Sequence, residues 1–156
     1  MIKLFLQPND ISVLTGFNGN IDIDNLKPSI NVAQTTHIKR ILGKDLYDKI
    51  YTDLETLTGD YLTIYNDYVV YMLAFFSAST YLALNTTKVN NLGTYKINAE
   101  NSTNATPSEV NTLGKNYESI AISYETNFYE FMKTINIPEY GQIELNKPTT
   151  NLIPWY

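Results

Sequence analysis

Cysteine is absent from the 156 residues. Disulfide scaffolds, thiolate metal sites and cysteine nucleophiles are thereby excluded. Histidine is almost as scarce: His37 is the only one, so no pair of imidazoles can share a metal. Basic residues are also few, eleven Lys and Arg against sixteen Asp and Glu, for a net charge of −5. They are scattered along the chain, without the positive footprint that grips nucleic-acid phosphates. No Gly-rich phosphate loop, dinucleotide fingerprint or nucleophile-elbow serine occurs. The reading from these absences is a protein that is not an enzyme and holds no metal or cofactor.

What is present is apolar and aromatic. The chain is 44% hydrophobic and carries thirteen tyrosines. Tyrosine brings a large apolar body and a polar tip, which suits half-buried surfaces and interfaces. The length predicts one domain with a real core. The opening Met-Ile-Lys-Leu-Phe-Leu run is too short for a signal-peptide core, and Gln7-Pro8-Asn9-Asp10 ends it. The stretch 68–84 carries no charge. It is a little short for a membrane span, lacks basic flanks and holds several Tyr, Ser and Thr, so it reads as a buried core helix with no membrane partner. Asn85, Asn101 and Asn104 head glycosylation-type triplets, which an Asn/Thr-rich chain produces by coincidence.

Along the chain, one helical turn is expected over 10–15, started by Pro8 and Asp10 and ended by Gly16. A helix over about 25–42 carries the stripe Leu26, Ile30, Ala33, His37 and Ile41. Asp24 is its expected N-cap, Pro28 lies in its first turn and Gly43 closes it. A second helix, about 44–57, places Leu46, Ile50, Leu54 and Leu57 on one face, with Tyr47 and Tyr51 alongside. Thr58-Gly59-Asp60 is the break before a third, about 61–84. That helix is apolar nearly all round, and its Ala74, Ser77, Ala78 and Ala83 admit a close neighbour. A Gly-containing turn, Asn90-Asn91-Leu92-Gly93, separates two short runs and predicts a β-hairpin at about 88–98. The box Thr106-Pro107-Ser108-Glu109 then launches a fourth helix. Its stripe, Val110, Leu113, Tyr117, Ile120 with Ala121, Tyr124, Phe128 and Phe131, runs to about 135, and Ile137-Pro138 stops it. The expected fold is all-α: four main helices in a domain over 1–140, with a small hairpin between the last two and an extended C-terminal arm over 141–156.

Candidates for chemistry reduce to structure. His37 sits on an apolar stripe and reads as a satisfied, partly buried histidine. Asp22 and Asp24, and the group Asp45, Asp48, Asp53 and Glu55, lack calcium-loop spacing and read as a helix cap and a solvated face. The arm ends in Leu152, Ile153, Pro154, Trp155 and Tyr156. An apolar, aromatic tail needs a surface to bury it, so these five are the candidate docking residues. A hairpin of this size is marginal alone and needs something to lie on.

This order of elements resembles the head–tail connector (adaptor, neck-ring) proteins of tailed bacteriophages, those of the crAss-like gut phages above all. The residues that carry the likeness are Ile30-Asn31-Val32-Ala33-Gln34, Ile38 and Ile41-Leu42-Gly43-Lys44-Asp45-Leu46-Tyr47 at the first helix junction. Lys88-Val89-Asn90-Asn91-Leu92-Gly93-Thr94, the run from Asn101 to Glu109, and Pro138-Glu139-Tyr140 follow. The likeness spans about 11–140 and rests on structural motifs. It implies a connector-type helical bundle and a virion protein at the head–tail junction, made in the bacterial host cytoplasm. It also implies a ring of its own copies, commonly twelve, docked to the portal protein and to further neck or tail rings, with the hairpin residues Val89, Asn91, Leu92 and Tyr95 reaching toward a neighbouring subunit or the next ring. Genomic DNA would pass without sequence-specific binding, eased by acidic residues facing the channel. The rival reading is a monomeric helical regulator or inhibitor that binds a host protein through the same arm. A weaker third is a small enzyme organised around His37.

Overall fold

The computed structural model describes residues 3–17, 23–85, 88–90, 93–95 and 106–140. The arm 141–156, with Leu152, Ile153, Pro154, Trp155 and Tyr156, lies outside the described residues, as do Asn91 and Leu92.

The described chain is all-α apart from two three-residue strands. Helix α1 is Pro8–Thr15, two turns where one was expected. Gln7 N–H donates to the Asp10 carboxylate at 2.9 Å, and Pro8 at the first position has no amide to leave unpaired. Gly16, at φ 73°, closes α1 in the left-handed conformation, which glycine adopts without a Cβ penalty.

Next come α2 (Ile23–Ala33), a π-helical turn π1 (Gln34–Ile38) and α3 (Lys39–Leu42), continuous over 23–42. Because α2 begins at Ile23, Asp24 is inside the first turn, paired with Lys27 at 2.9 Å, and is not the cap. Pro28 correspondingly sits in the second turn. The π turn follows from the side-chain spacing. Leu26, Ile30, Gln34, Ile38 and Leu42 recur every four residues, and all five are buried. In a 3.6-residue helix each such step drifts about 40°, so the stripe would leave the core within a few turns. One extra residue in the turn, seen as Lys39 N–H donating to Gln34 C=O, takes back about 100° and keeps the stripe inward. The core face therefore takes in Gln34 and Ile38 beside the expected Ala33 and Ile41, with His37 half-buried as expected. Gly43, at φ 75° and ψ 166°, then turns the chain through a region open essentially to glycine alone.

Helix α4 is Lys44–Asp53, shorter than the expected 44–57. A tight turn, Thr56 N–H to Asp53 C=O at 2.8 Å, ends it and tucks Leu57 into the core. Helix α5 (Gly59–Thr63), π2 (Ile64–Val69) and α6 (Val70–Asn85) form one continuous helix, Gly59–Asn85. Its π turn works in the same way: Ile64 and Val69, five apart, are both fully buried. By length and composition alone this helix could cross a membrane. In the fold it is the hub, packed against α1, α2 and α7. Ser29 and Ala33 of α2, and Ala74, Ser77 and Ala78 of α6, are all fully buried, which lets those helices approach closely. Ala83, the fourth small residue of the expected close approach, is at the exposed end instead.

Strands β1 (Lys88–Asn90) and β2 (Gly93–Tyr95) pair antiparallel, with Val89 opposite Thr94 and Lys88 opposite Tyr95. Helix α7 (Pro107–Met132) returns along α6. Its start is the capping box seen in the sequence. Glu109 N–H donates to Thr106 Oγ1 at 3.2 Å, and Thr106 N–H donates to the Glu109 carboxylate at 2.7 Å. That bond holds the Glu109 carboxyl below its usual range. The buried line of α7 is Ala121, Glu125, Phe128 and Met132. Leu113 and Ile120, assigned to the inner stripe by spacing, are 43% and 40% exposed. Tyr124 lies in the α6 seam as expected, stacked on Tyr71 at 4.9 Å, and Glu125 is buried beside it, where the stripe had no residue.

Candidate functional site

Of the residues singled out on the hairpin, Val89 and Tyr95 lie in the paired strands and are not directly opposite each other. The acids read as a solvated face hold lysines: Asp48 with Lys44 at 2.8 Å and Asp53 with Lys49 at 2.7 Å, each four residues away. Glu55 reaches Lys3 at 4.0 Å. Among the described residues no group of three or more His, Asp and Glu could hold a metal ion.

Three polar clusters built across elements define the sites. The first joins α3 to α7. Arg40 lies in the last turn before Gly43 and points both guanidinium nitrogens at Glu125, each at 3.1 Å. Tyr129, one turn further along α7, donates its hydroxyl to the same carboxylate at 2.9 Å. The Glu125 side chain is 12% exposed, so the fork and the phenol together satisfy a nearly dry carboxylate. Burial, then the bond to Glu125, pushes the Tyr129 phenol up, so it stays a donor. Replacing Arg40 by Ala is expected to cost about 2 kcal/mol, less than a fully buried pair because Arg40 is partly solvated. Replacing the pair together by Met and Leu should recover most of that loss in urea denaturation.

His37 lies beside this cluster. Its ring stacks on Phe76 at 4.1 Å with an interplanar angle of 7°. Burial, then the charge of Arg40, lowers its pKa below the ordinary 6.5, against weaker upward pulls from Glu118 and Glu125. The folded state therefore prefers neutral imidazole. Its contribution to stability is complete above about 6.5 and is lost as pH falls through the lower folded value. The urea midpoint should fall between pH 7 and pH 5, and His37→Gln should flatten that window.

The second cluster anchors the turn after α7. Ile137 is buried, and Tyr140 stands edge-on to Phe128 at 5.7 Å. Tyr61 of α5 donates its hydroxyl to Glu139 at 2.6 Å. That hydrogen bond pushes the Tyr61 phenol up to about 12 and holds the Glu139 carboxyl low. Lys49 lies over the Tyr61 ring at 5.6 Å. A shallow cleft of about 150 Å³ between α4 and α5 opens beside them. The fold thus fixes where the chain passes from Tyr140 into residues 141–156.

The third cluster was not foreseen in the sequence. Residues 3–6 run along π1, α4 and π2, and every main-chain polar group of Lys3 and Phe5 is bound by a side chain. Lys3 N–H donates to Tyr51 Oη at 3.1 Å, and Lys3 C=O accepts from Gln34 Nε2 at 3.0 Å. Phe5 N–H donates to Gln34 Oε1 at 2.7 Å, and Phe5 C=O accepts from Tyr65 Oη at 2.6 Å. Gln34 Nε2 also donates to Tyr47 Oη at 3.1 Å. The Phe5 ring is caged by Tyr47, Tyr51 and Tyr65, with centroids 5.2, 6.1 and 6.4 Å away. Nothing in the spacing of helix 23–42 marked Gln34, which fell between the stripe residues Ala33 and His37.

None of these arrangements assembles a nucleophile, base and oxyanion donors around a common point; each one holds a chain segment in place. No curated protein and no solved structure matches the chain. Residues 38–150 match a family described as one of unknown function, DUF6712, and the chain belongs to that family.

Proposed function

We propose that the chain is a structural protein of a tailed-phage particle, forming an oligomeric ring in the head–tail neck. It docks to the portal and extends the DNA channel toward the tail. The observation that carries this reading is the order of elements. Four long helical segments (23–42, α4, Gly59–Asn85 and α7) are followed by a chain segment leaving from an anchored turn at Tyr140, and a strand pair lies between the last two helices. We read this as a connector-type bundle with a small hairpin. Its functional surfaces are the hairpin (Val89, Asn91, Leu92, Tyr95) and the arm (Leu152, Ile153, Pro154, Trp155, Tyr156). The anchor is consistent with the arm reading, because a docking arm transmits force only if its root is fixed. Arm and hairpin gain burial when the partner ring is present, so assembly is driven by that differential. DNA passes unread through a channel whose net acidity avoids phosphate contacts.

Electron microscopy of the protein mixed with the portal ring of the same phage tests this. A second ring stacked on the portal is expected, and it should be lost on deletion of 151–156 while helical content persists. Bare portals at saturating protein would overturn direct portal docking. A one-to-one complex with a host protein and no symmetric assembly would instead identify a regulator.

A further inference from the structure

The outer flank of the α6–α7 seam is apolar and open. Leu113 and Ile120 of α7 are both exposed, and seven residues put them two turns apart on one face. Tyr117 and Tyr124 share that side of the helix and are half-buried. Tyr117 packs on Phe75 at 6.0 Å, and Tyr124 stacks on Tyr71. The flank carries no charge: α6 has none over 70–85, and Asn116 and Asn127 fill the polar positions on the α7 side. Covering it removes exposed aliphatic area from water and desolvates no ion.

We infer that in the free protein this flank is covered by the chain's own C-terminal arm, residues 141–156. The first argument is reach. The arm leaves from Tyr140, whose ring packs edge-on against Phe128 of α7. From Phe128 back along the helix axis, Ile120 is about 12 Å away and Leu113 about 22 Å, at 1.5 Å per residue. Residues 152–156 stand far enough beyond Tyr140 to span about 40–50 Å when extended, which covers that run and the passage around the helix. The second argument is composition. Residues 148–156 carry no charged side chain, and Leu152, Ile153 and Trp155 match an uncharged flank in a chain of net charge −5. Pro148 and Pro154 reduce the entropy lost when the segment is ordered. The third is concentration. A tether of this length presents the arm to its own flank at an effective concentration on the order of millimolar, which a second copy in dilute solution does not reach. The inference goes beyond portal docking and needs no portal. A partner ring takes the arm from this flank, so the burial gained on assembly is the difference between the two surfaces.

Trp155 is the only tryptophan, so its fluorescence, excited beyond the tyrosine band, reports the arm alone. The full-length protein is expected to emit at shorter wavelength than the same chain unfolded in urea. Acrylamide quenching should be several-fold weaker than in the unfolded chain, and neither reading should depend on protein concentration. Leu113→Asp/Ile120→Asp should return both readings toward the unfolded values. Both positions are exposed, so helical content should persist. Where it falls, Leu113→Ser/Ile120→Ser carries the same test. Ile122→Asp, exposed on the opposite side of α7, should leave both readings unchanged. Unfolded-like emission from the native chain would overturn the inference and leave portal docking untouched. Shifted emission that survives the flank variants, or that Ile122→Asp abolishes equally, would place the arm elsewhere and overturn it as well. A shift that grows with protein concentration would assign the flank to a second copy and overturn docking within one chain.

Discussion

Phe128→Ala is expected to lower the unfolding free energy by about 3–5 kcal/mol, the largest effect of any single truncation among the described residues. Phe128 is fully buried and heads the large side chains of the core. Its ring meets Tyr68 of π2 edge-on at 6.0 Å, Tyr129 at 5.6 Å and Tyr140 edge-on at 5.7 Å. Truncation removes the apolar area of a phenyl ring and leaves a hole that helical neighbours cannot fill without moving. It also frees Tyr140, so the turn rooted by Glu139 and Tyr61 should loosen before the domain unfolds. Against a typical total of about 5–15 kcal/mol, this is a large share. Guanidinium denaturation should show a lower midpoint at unchanged slope. Phe131→Ala, at a half-buried position stacked on Tyr68, should cost clearly less. A loss at Phe128 no larger than that at Phe131 would mean that Phe128 is not the hub of this core.

Gln34→Leu should cost about 3 kcal/mol although leucine matches glutamine in size and is the better hydrophobe. The substitution leaves Lys3 C=O, Phe5 N–H and Tyr47 Oη without their Gln34 partners in a site from which water is largely excluded. Each lost bond is worth about 1 kcal/mol, and buried groups left unpaired cost more than the bond itself contributed. Tyr65→Phe removes one hydroxyl and one bond, to Phe5 C=O, and should cost about 1 kcal/mol. Amide hydrogen exchange separates local from global loss. The Phe5 amide should lose protection in Gln34→Leu well before the amides of α6 do. A stabilised Gln34→Leu would show that the groove is a packing surface and not a reader of main chain.

Much of the helical layout was legible from local chemistry. The box at Thr106 and Glu109, Pro107 at the first helical position, and the glycines at 16 and 43 act within one turn of chain. Their effect therefore needs no knowledge of the rest of the fold. The stripe residues Leu26, Ile30, Leu46 and Ile50 also went inward as their spacing implied. The errors were of a different kind. In helix 23–42 the stripe residues Ala33 and Ile41 are buried and His37 is partly buried, as read, but the stripe left out Gln34 and Ile38, which the π turn also brings into the core. Residues 54–57 continue the apolar pattern of α4, yet the chain turns there through the Thr56 N–H to Asp53 C=O bond, with Leu57 still buried. In α7, a glutamate would not be assigned to a buried line by any hydrophobicity rule. Glu125 is buried because Arg40, 85 positions away, supplies the missing charge.

The same division holds for the candidate sites. The docking assignment to the arm came from its apolar, aromatic composition, and that to the hairpin from the family resemblance. The groove around residues 3–6 carries no such signature, since glutamine and tyrosine mark no site until they converge. Sequence by itself determined the capped start at Thr106, the stops at Gly16 and Gly43, most of the apolar faces and that thiol chemistry is excluded, because those properties are set by neighbours within four residues. Tertiary structure alone decided which polar groups meet: Gln34 with Lys3 and Phe5, Arg40 with Glu125, and Tyr61 with Glu139. Those pairs span 29 to 85 positions. Their closeness is a product of how the helices pack, so no local pattern can encode it.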